Sequence, residues 1–186
     1  MPREIERRFI LSHLPPGFVL HPSYYTQQAY VLIDEAAQIE ERVRYRLTPD
    51  DNATYQRCRK QGSGRSCDET EAPISAMEFA QGLVNRIGNQ IIKRVFYELY
   101  DLRWIEFHIF MSHRPLMMIE VEFKSEEDAA AFQPPDWFGP EVTNDRRYNN
   151  ASIALNGVPS DFSTTNEMLM LFHGEVLPIK PSGATQ

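Results

Sequence analysis

Charge that alternates within strand-forming runs constrains this chain more than any other feature. In P-R-E-I-E-R-R-F-I-L, Pro2 to Leu11, a period of two places Glu4, Glu6 and Arg8 on one face of a β-strand. A face packed on a dry core would carry apolar residues there. This face is therefore either solvated, as on a charged edge strand, or lines a polar cavity. A second run of the same kind lies far downstream. In L-M-M-I-E-V-E-F-K, Leu116 to Lys124, Glu120 and Glu122 share one face while Ile119, Val121 and Phe123 anchor the other. Between the two acidic strands the corresponding face is basic: Arg42, Arg44 and Arg46 alternate in E-R-V-R-Y-R-L, and Lys60 and Lys93 sit in two later strand-like runs. Like charges at this spacing repel, so the arginines need solvent or a multivalent anion. Clustered carboxylates are ligands suited to Mg2+ or Mn2+, ions that commonly accompany phosphate. Acid for metal and base for phosphate together meet the demands of a triphosphate.

A chain of 186 residues buries a single core without needing a second domain. Its net charge of −7 argues against a partner held by non-specific attraction, so neither a stable nucleic-acid partner nor an anionic membrane surface is expected. Cations that bind phosphate must then be concentrated locally. No apolar run is long enough for a membrane-spanning helix, and the charged start lacks the apolar segment of a signal peptide, which makes the cytoplasm the expected location. Cys58 and Cys67 read as reduced thiols, and the N-A-T and N-A-S triplets at Asn52 and Asn150 as chance.

Further strands are expected over Tyr24 to Ile33, Arg42 to Leu47, Thr54 to Lys60 and Glu69 to Ile74. Two more, Gln90 to Tyr100 and Trp104 to Met111, are joined by the tight Asp101-Leu-Arg103 connection. Ser75 and Glu78 have capping-box spacing and open a helix whose buried stripe is Phe79, Leu83 and Ile87. Ser125 starts a second helix that Pro134-Pro135 ends, and Arg146 to Gly157 is a third, expected to pack on the outside. Many strands with a polar face at alternate positions point to a closed antiparallel barrel around a charged tunnel.

The sequence resembles the CYTH superfamily, the triphosphate tunnel metalloenzymes. The likeness rests on E-I-E-R-R (Glu4 to Arg8), Q-Q-A-Y (Gln27 to Tyr30), V-R-Y-R (Val43 to Arg46) and E-V-E-F (Glu120 to Phe123). It continues through P-D-W-F-G-P-E-V-T (Pro135 to Thr143) and R-Y-N-N (Arg147 to Asn150), all in the family's order. The resemblance implies an α+β protein built on a closed eight-stranded antiparallel tunnel with helices outside, over residues 1–158. Residues 159–186 would form a partly disordered extension. It implies metal-dependent hydrolysis of inorganic triphosphate or a small organic triphosphate, with a class IV adenylate cyclase or a non-catalytic polyphosphate- or nucleotide-binding module as alternatives. Glu4, Glu6, Glu120 and Glu122 would hold Mg2+ or Mn2+, and Arg8, Arg42, Arg44, Arg46, Lys60, Lys93 and Arg147 would bind the phosphates. Lys60, where the family has a phosphate-binding lysine at a strand end, reads otherwise as an ordinary surface lysine. Two departures stand out. Where many members carry an acidic residue before E-x-E, this chain has His108, with Glu106 two residues earlier on the same face, and either is a candidate for the metal's surroundings. The family's K-x-R reads Lys93-Arg94-Val95, so an inward arginine is replaced by Val95. Which triphosphate is bound, and the oligomeric state, are left open by these motifs.

Overall fold

The computed structural model describes residues 3–11, 21–62, 66–112 and 116–161. Within them lie nine antiparallel strands: β1 (Arg3–Leu11), β2 (His21–Asp34), β3 (Ile39–Leu47), β4 (Ala53–Gln61), β5 (Ser66–Pro73), β6 (Ile87–Tyr100), β7 (Arg103–Phe110), β8 (Leu116–Glu122) and β9 (Phe138–Glu141). Three α-helices accompany them, α1 (Ala76–Val84), α2 (Glu126–Ala131) and α3 (Asn150–Asn156), with a short 3-10 helix at Arg146–Tyr148. The class is α+β. Hydrogen bonding orders the strands β5-β4-β3-β2-β6-β7-β8-β1-β9, and β1 makes a further pairing with β5 through Arg3↔Asp68, Glu4↔Cys67 and Ile5↔Ser66. No helix among the described residues is long and apolar enough to cross a bilayer.

The alternation of the sequence divides the sheet by face. Phe9, Phe107, Ile119 and Val121 join Phe132 and Phe138 in an apolar cluster beneath α2 and β9. Glu6, Arg8, Glu106, His108 and Glu120 therefore face the other way, because successive side chains on a strand point to opposite sides. Register keeps the charges in line: Arg8 lies opposite Glu120, Glu120 opposite Glu106, and Glu106 opposite Tyr97.

Local signals explain the helices. At α1 the Ser75 backbone N–H donates to Glu78 Oε2 at 2.8 Å while Ser75 Oγ accepts from the Glu78 backbone N–H at 3.2 Å, the expected capping box. The stripe stops short, however. Asn85 caps the helix, and Ile87 begins β6 instead of extending the helical face. The next residue, Gly88, has a φ of 69°, and a Cβ there would lie 2.5 Å from the Ala154 carbonyl oxygen, so only glycine fits where β6 passes α3. Ser125 caps α2 by accepting from the Asp128 N–H, as its spacing predicts. The third helix departs from expectation. It splits into the 3-10 helix and α3, and α3 packs on Ile10, Tyr30, Ile91, Phe110, Leu116 and Met118, the apolar ends of the inward-facing rows. It plugs one end of the interior and does not lie against the outside. The extension expected from residue 159 falls almost wholly outside the described residues.

Candidate active site

The inward rows enclose a cavity of about 470 Å³ whose wall is mostly charged. One wall, from β1, β6, β7 and β8, is acidic around a buried Lys–His pair. The other, from β2 to β5, is rich in arginine.

On the acidic wall Glu120 and Glu106 lie opposite each other in register, as do Glu6 and Glu122. Like charges facing across a strand pair destabilise it unless a cation lies between them. His108 supplies part of that compensation: its Nε2 is 2.9 Å from Glu106 Oε2 and 3.1 Å from Glu120 Oε2. Neither contact has the direction of a good hydrogen bond, so the interaction is mainly electrostatic and Nε2 stays unsatisfied as a donor. The other ring nitrogen, Nδ1, lies 2.9 Å from Lys93 Nζ. Burial pushes the Lys93 ammonium down, while the Glu120 charge lifts the His108 imidazole above its ordinary value in spite of burial. Burial alone would raise Glu120, yet His108, Lys93 and Arg8 hold it well below the usual carboxylate range. Glu106 is likewise depressed, against burial, by His108 and by a hydrogen bond from Tyr97.

Arg8 is aimed by backbone and side-chain acceptors. Its guanidinium donates to Asn149 Oδ1 at 2.6 Å, to the Thr143 carbonyl at 3.2 Å and to the Tyr148 carbonyl at 3.3 Å. On the opposite wall each of two arginines meets a carboxylate of β5: Arg42 Nη2 lies 2.7 Å from Glu69 Oε1, and Arg44 Nη2 contacts Glu71 Oε1. Lys60 Nζ is 3.8 Å from Glu69 Oε2. Arg46 lies 4.1 Å above the ring of Tyr24. The Cys58 thiol, a free cysteine pushed up by burial, sits 3.7 Å from Glu71.

The structure thus gathers Glu6, Arg8, Arg42, Arg44, Arg46, Lys60, Lys93, Glu106, His108, Glu120 and Glu122 around one cavity. Glu122 stands on its exposed rim. Glu4 lies two residues before Glu6 on β1, opposite Cys67 in register. Arg147 lies elsewhere: it is outside the cavity wall and pairs with Asp145 at 2.6 Å and Asp161 at 2.8 Å, while its neighbour Arg146 lines the cavity. Val95 is buried opposite His108, which supports the reading that an inward cation is missing from this row. Sequence reasoning missed Glu69 and Glu71 as parts of the site, although E-T-E repeats the two-residue spacing of the other glutamate pairs. It also missed Tyr24, Gln28 and Asn149, whose chemistry carries no charge pattern.

Two features bear on what the cavity takes. The buried Nε atoms of Arg8, Arg42, Arg44 and Arg46, with Gln28 Nε2, have no hydrogen-bond partner among the described residues, as a wall built for an oxygen-rich anion would have. Glu106, His108 and Glu120 bring three ligand atoms within 4.8 Å of one another, and the facing pair Glu6 and Glu122 adds carboxylate oxygens. A set dominated by carboxylates fits a hard divalent cation.

No protein-family model matches the chain. An inorganic triphosphatase of Nitrosomonas europaea is 38% identical over 155 residues, which are 82% of this chain and 97% of that protein. An inorganic triphosphatase of Acetivibrio thermocellus is 28% identical over 159 residues, 84% of this chain and 96% of its own length. Among solved structures, that of an inorganic triphosphatase superposes with a TM-score of 0.62 at 34% identity, covering 84% of this chain and 97% of the other.

Proposed function

The chain belongs to the CYTH superfamily of triphosphate tunnel metalloenzymes, and from that premise we propose that it hydrolyses inorganic triphosphate or a small organic triphosphate inside this cavity. One observation carries the reading: an acidic wall fit for a divalent cation faces a wall of arginines whose buried Nε–H groups await acceptors. The β1–β5 pairing, added to the seven pairings that run unbroken from β5 to β1, supports reading these eight strands as a closed tunnel.

In this reading Glu6, Glu120 and Glu122, with Glu106 beside them and Glu4 two residues before Glu6 on β1, would hold Mg2+ or Mn2+. A divalent cation there supplies Lewis-acid polarisation of a phosphoryl oxygen and a more acidic bound water. The remaining work belongs to side chains. Phosphoryl transfer asks a protein mostly for positioning and for neutralising charge spread over the transferring oxygens. Arg8 meets that need because its three acceptors lock the guanidinium before substrate arrives. Arg42 and Arg44 enter already paired with Glu69 and Glu71, so substrate oxygens take the open edges of guanidinium groups that are already oriented. Lys93 Nζ, held 2.9 Å from His108 Nδ1, adds a buried N–H donor to the cavity wall. Arg146 replaces Arg147 as the cation contributed near α3.

The test is phosphate release from tripolyphosphate by the purified protein with Mg2+ or Mn2+ and after chelation. Release that needs the metal is expected. Tight binding without release would make the chain a binding module, and absence of turnover on tripolyphosphate, thiamine triphosphate and nucleoside triphosphates would overturn the proposal.

A further inference from the structure

The basic wall of the cavity carries its own counter-charge. Glu69 and Glu71 stand on β5 among the residues that line the cavity, each against one of the arginines a phosphate would meet. Arg42 Nη2 lies 2.7 Å from Glu69 Oε1, and Arg44 Nη2 contacts Glu71 Oε1. Both arginines reach over β4 by the same diagonal step. In register Arg42 lies opposite Cys58 and Cys58 opposite Glu71, yet Arg42 pairs with Glu69, two residues earlier. Arg44 lies opposite Gln56, itself opposite Pro73, and pairs with Glu71. Gln56 fastens this second pair, accepting from Arg44 Nη2 at 2.9 Å and donating to Glu71 Oε2 at 3.0 Å. A repeated offset with a bridging amide marks an ordered arrangement and not a passing contact between long side chains.

For a wall that only had to hold a polyanion, carboxylates at these positions would be a defect. Each places a negative charge beside a phosphate-binding candidate and lowers the positive potential that the guanidinium offers. Burial would raise the Glu71 carboxyl, yet Arg44 holds it below its ordinary value, so the charge is present at neutral pH. A site that turns over has a second requirement. Hydrolysis breaks one P–O–P bond of the triphosphate with water, and both fragments are anions that compete for the same arginines. Guanidinium groups with no counter-charge would retain them, and release would then limit turnover.

We propose that Glu69 and Glu71 tune product release: they partly cancel Arg42 and Arg44, so that the wall orients phosphate oxygens without retaining the anions that hydrolysis leaves. The inference rests on the triphosphatase reading and deepens it by assigning these two carboxylates a part in the reaction cycle. The Nε–H groups of Arg42 and Arg44 lack acceptors among the described residues. The carboxylates therefore weaken the grip without closing the edge that a phosphate would use.

The test removes charge at constant shape. Calorimetry with pyrophosphate and Mg2+ gives Kd for the wild type, Glu71→Gln and Glu69→Gln at low and high salt, with circular dichroism to confirm the fold of each. Glutamine keeps an acceptor toward the arginine and loses the charge. A unit charge a few ångströms from a bound anion near the protein surface changes binding by about tenfold or more, so pyrophosphate should bind about tenfold more tightly to Glu71→Gln. That gain should shrink in high salt, because Glu71 is partly exposed and its charge is screened. Glu69→Gln, deeper in the wall, should shift Kd in the same direction. Inhibition of tripolyphosphate turnover by pyrophosphate should strengthen in step. Unchanged or weaker binding in either folded variant overturns the inference, by showing that the carboxylate only orients its arginine. A gain in Glu71→Gln that ignores salt overturns it as well, as does a wild type that binds no pyrophosphate. Wild-type binding without turnover strikes the triphosphatase reading alone, because the Kd comparison needs no turnover.

Discussion

The two walls of the cavity handle charge differently. On the β1–β8–β7–β6 wall the groups share one cluster: Glu120 lies among His108, Lys93 and Arg8, and His108 spans Glu106 and Glu120. On the β2–β5 wall charge is matched in pairs, Arg42 with Glu69 and Arg44 with Glu71, each reaching from β3 to β5 across the intervening β4. A buried cluster suffers when one member is removed, because the others are left uncompensated away from water. A pair leaves only its own partner uncompensated, and Glu71, whose side chain is 37% exposed, still reaches water when Arg44 is removed. The acidic wall should therefore tolerate substitution poorly and the basic wall by degrees.

The sharpest way to break this comparison is Glu120→Gln, which keeps volume, removes a carboxylate oxygen and leaves Lys93 and Arg8 without their shared counter-charge. Triphosphate hydrolysis should fall by at least about a hundredfold, with secondary structure retained by circular dichroism. Near-normal turnover in Glu4→Gln and Glu122→Gln together would reduce that end of the acidic row to a solvated rim. Next in size is Arg44→Ala on the paired wall. There kcat/KM should drop by about tenfold, since the neighbouring cations still hold the phosphates. A loss as large as that of Glu120→Gln would erase the distinction between the walls.

A smaller effect is expected where the acidic wall carries a nitrogen. Imidazole suits Mn2+ better than Mg2+, whereas aspartate offers a hard oxygen. His108→Asp should therefore raise activity with Mg2+ relative to Mn2+ by a few-fold. An unchanged ratio would leave the acidic work to Glu106. The smallest effect concerns pH and the Arg44–Glu71 pair. Arg44 holds the Glu71 carboxyl below its ordinary value of 4.5 despite partial burial, so folding favours the ionised form. That contribution is fully present above 4.5, the unfolded value, and is lost as the pH falls through the lower folded value. Melting temperatures at pH 7 and in mild acid should show the wild type losing more stability than Glu71→Gln on acidification. Parallel losses would mean that the pair adds nothing to the fold.

Much of this molecule is legible in one dimension because the decisive signals are local. A period of two in E-I-E-R-R, V-R-Y-R and E-V-E forces charge onto one face of three strands whatever else the chain does. Ser75 with Glu78 and Ser125 with Asp128 start helices through contacts three residues apart, and Asp101-Leu102 closes a hairpin. The α+β class, the polar interior and most of the residues around the cavity follow from those facts. What the tertiary structure alone decided depends on contacts between residues far apart in sequence. Ile87 fits the helical stripe of α1 by spacing, yet α1 is capped at Asn85 and Ile87 opens β6, which passes close to Ala154 of α3 at Gly88. Arg146 and Arg147 are neighbours in sequence, and the 3-10 geometry next to Asp145 and Asp161 sends one to the cavity and the other to surface carboxylates. Glu69 and Glu71 become partners of Arg42 and Arg44 only because β5 adds to β4 and brings its face around to theirs. His108 stands between two carboxylates and a lysine because β6, β7 and β8 fall into one register. Spacing sets which face a side chain takes, but which charges meet across that face depends on strand order and register, and these are chosen by the burial of the whole apolar surface at once.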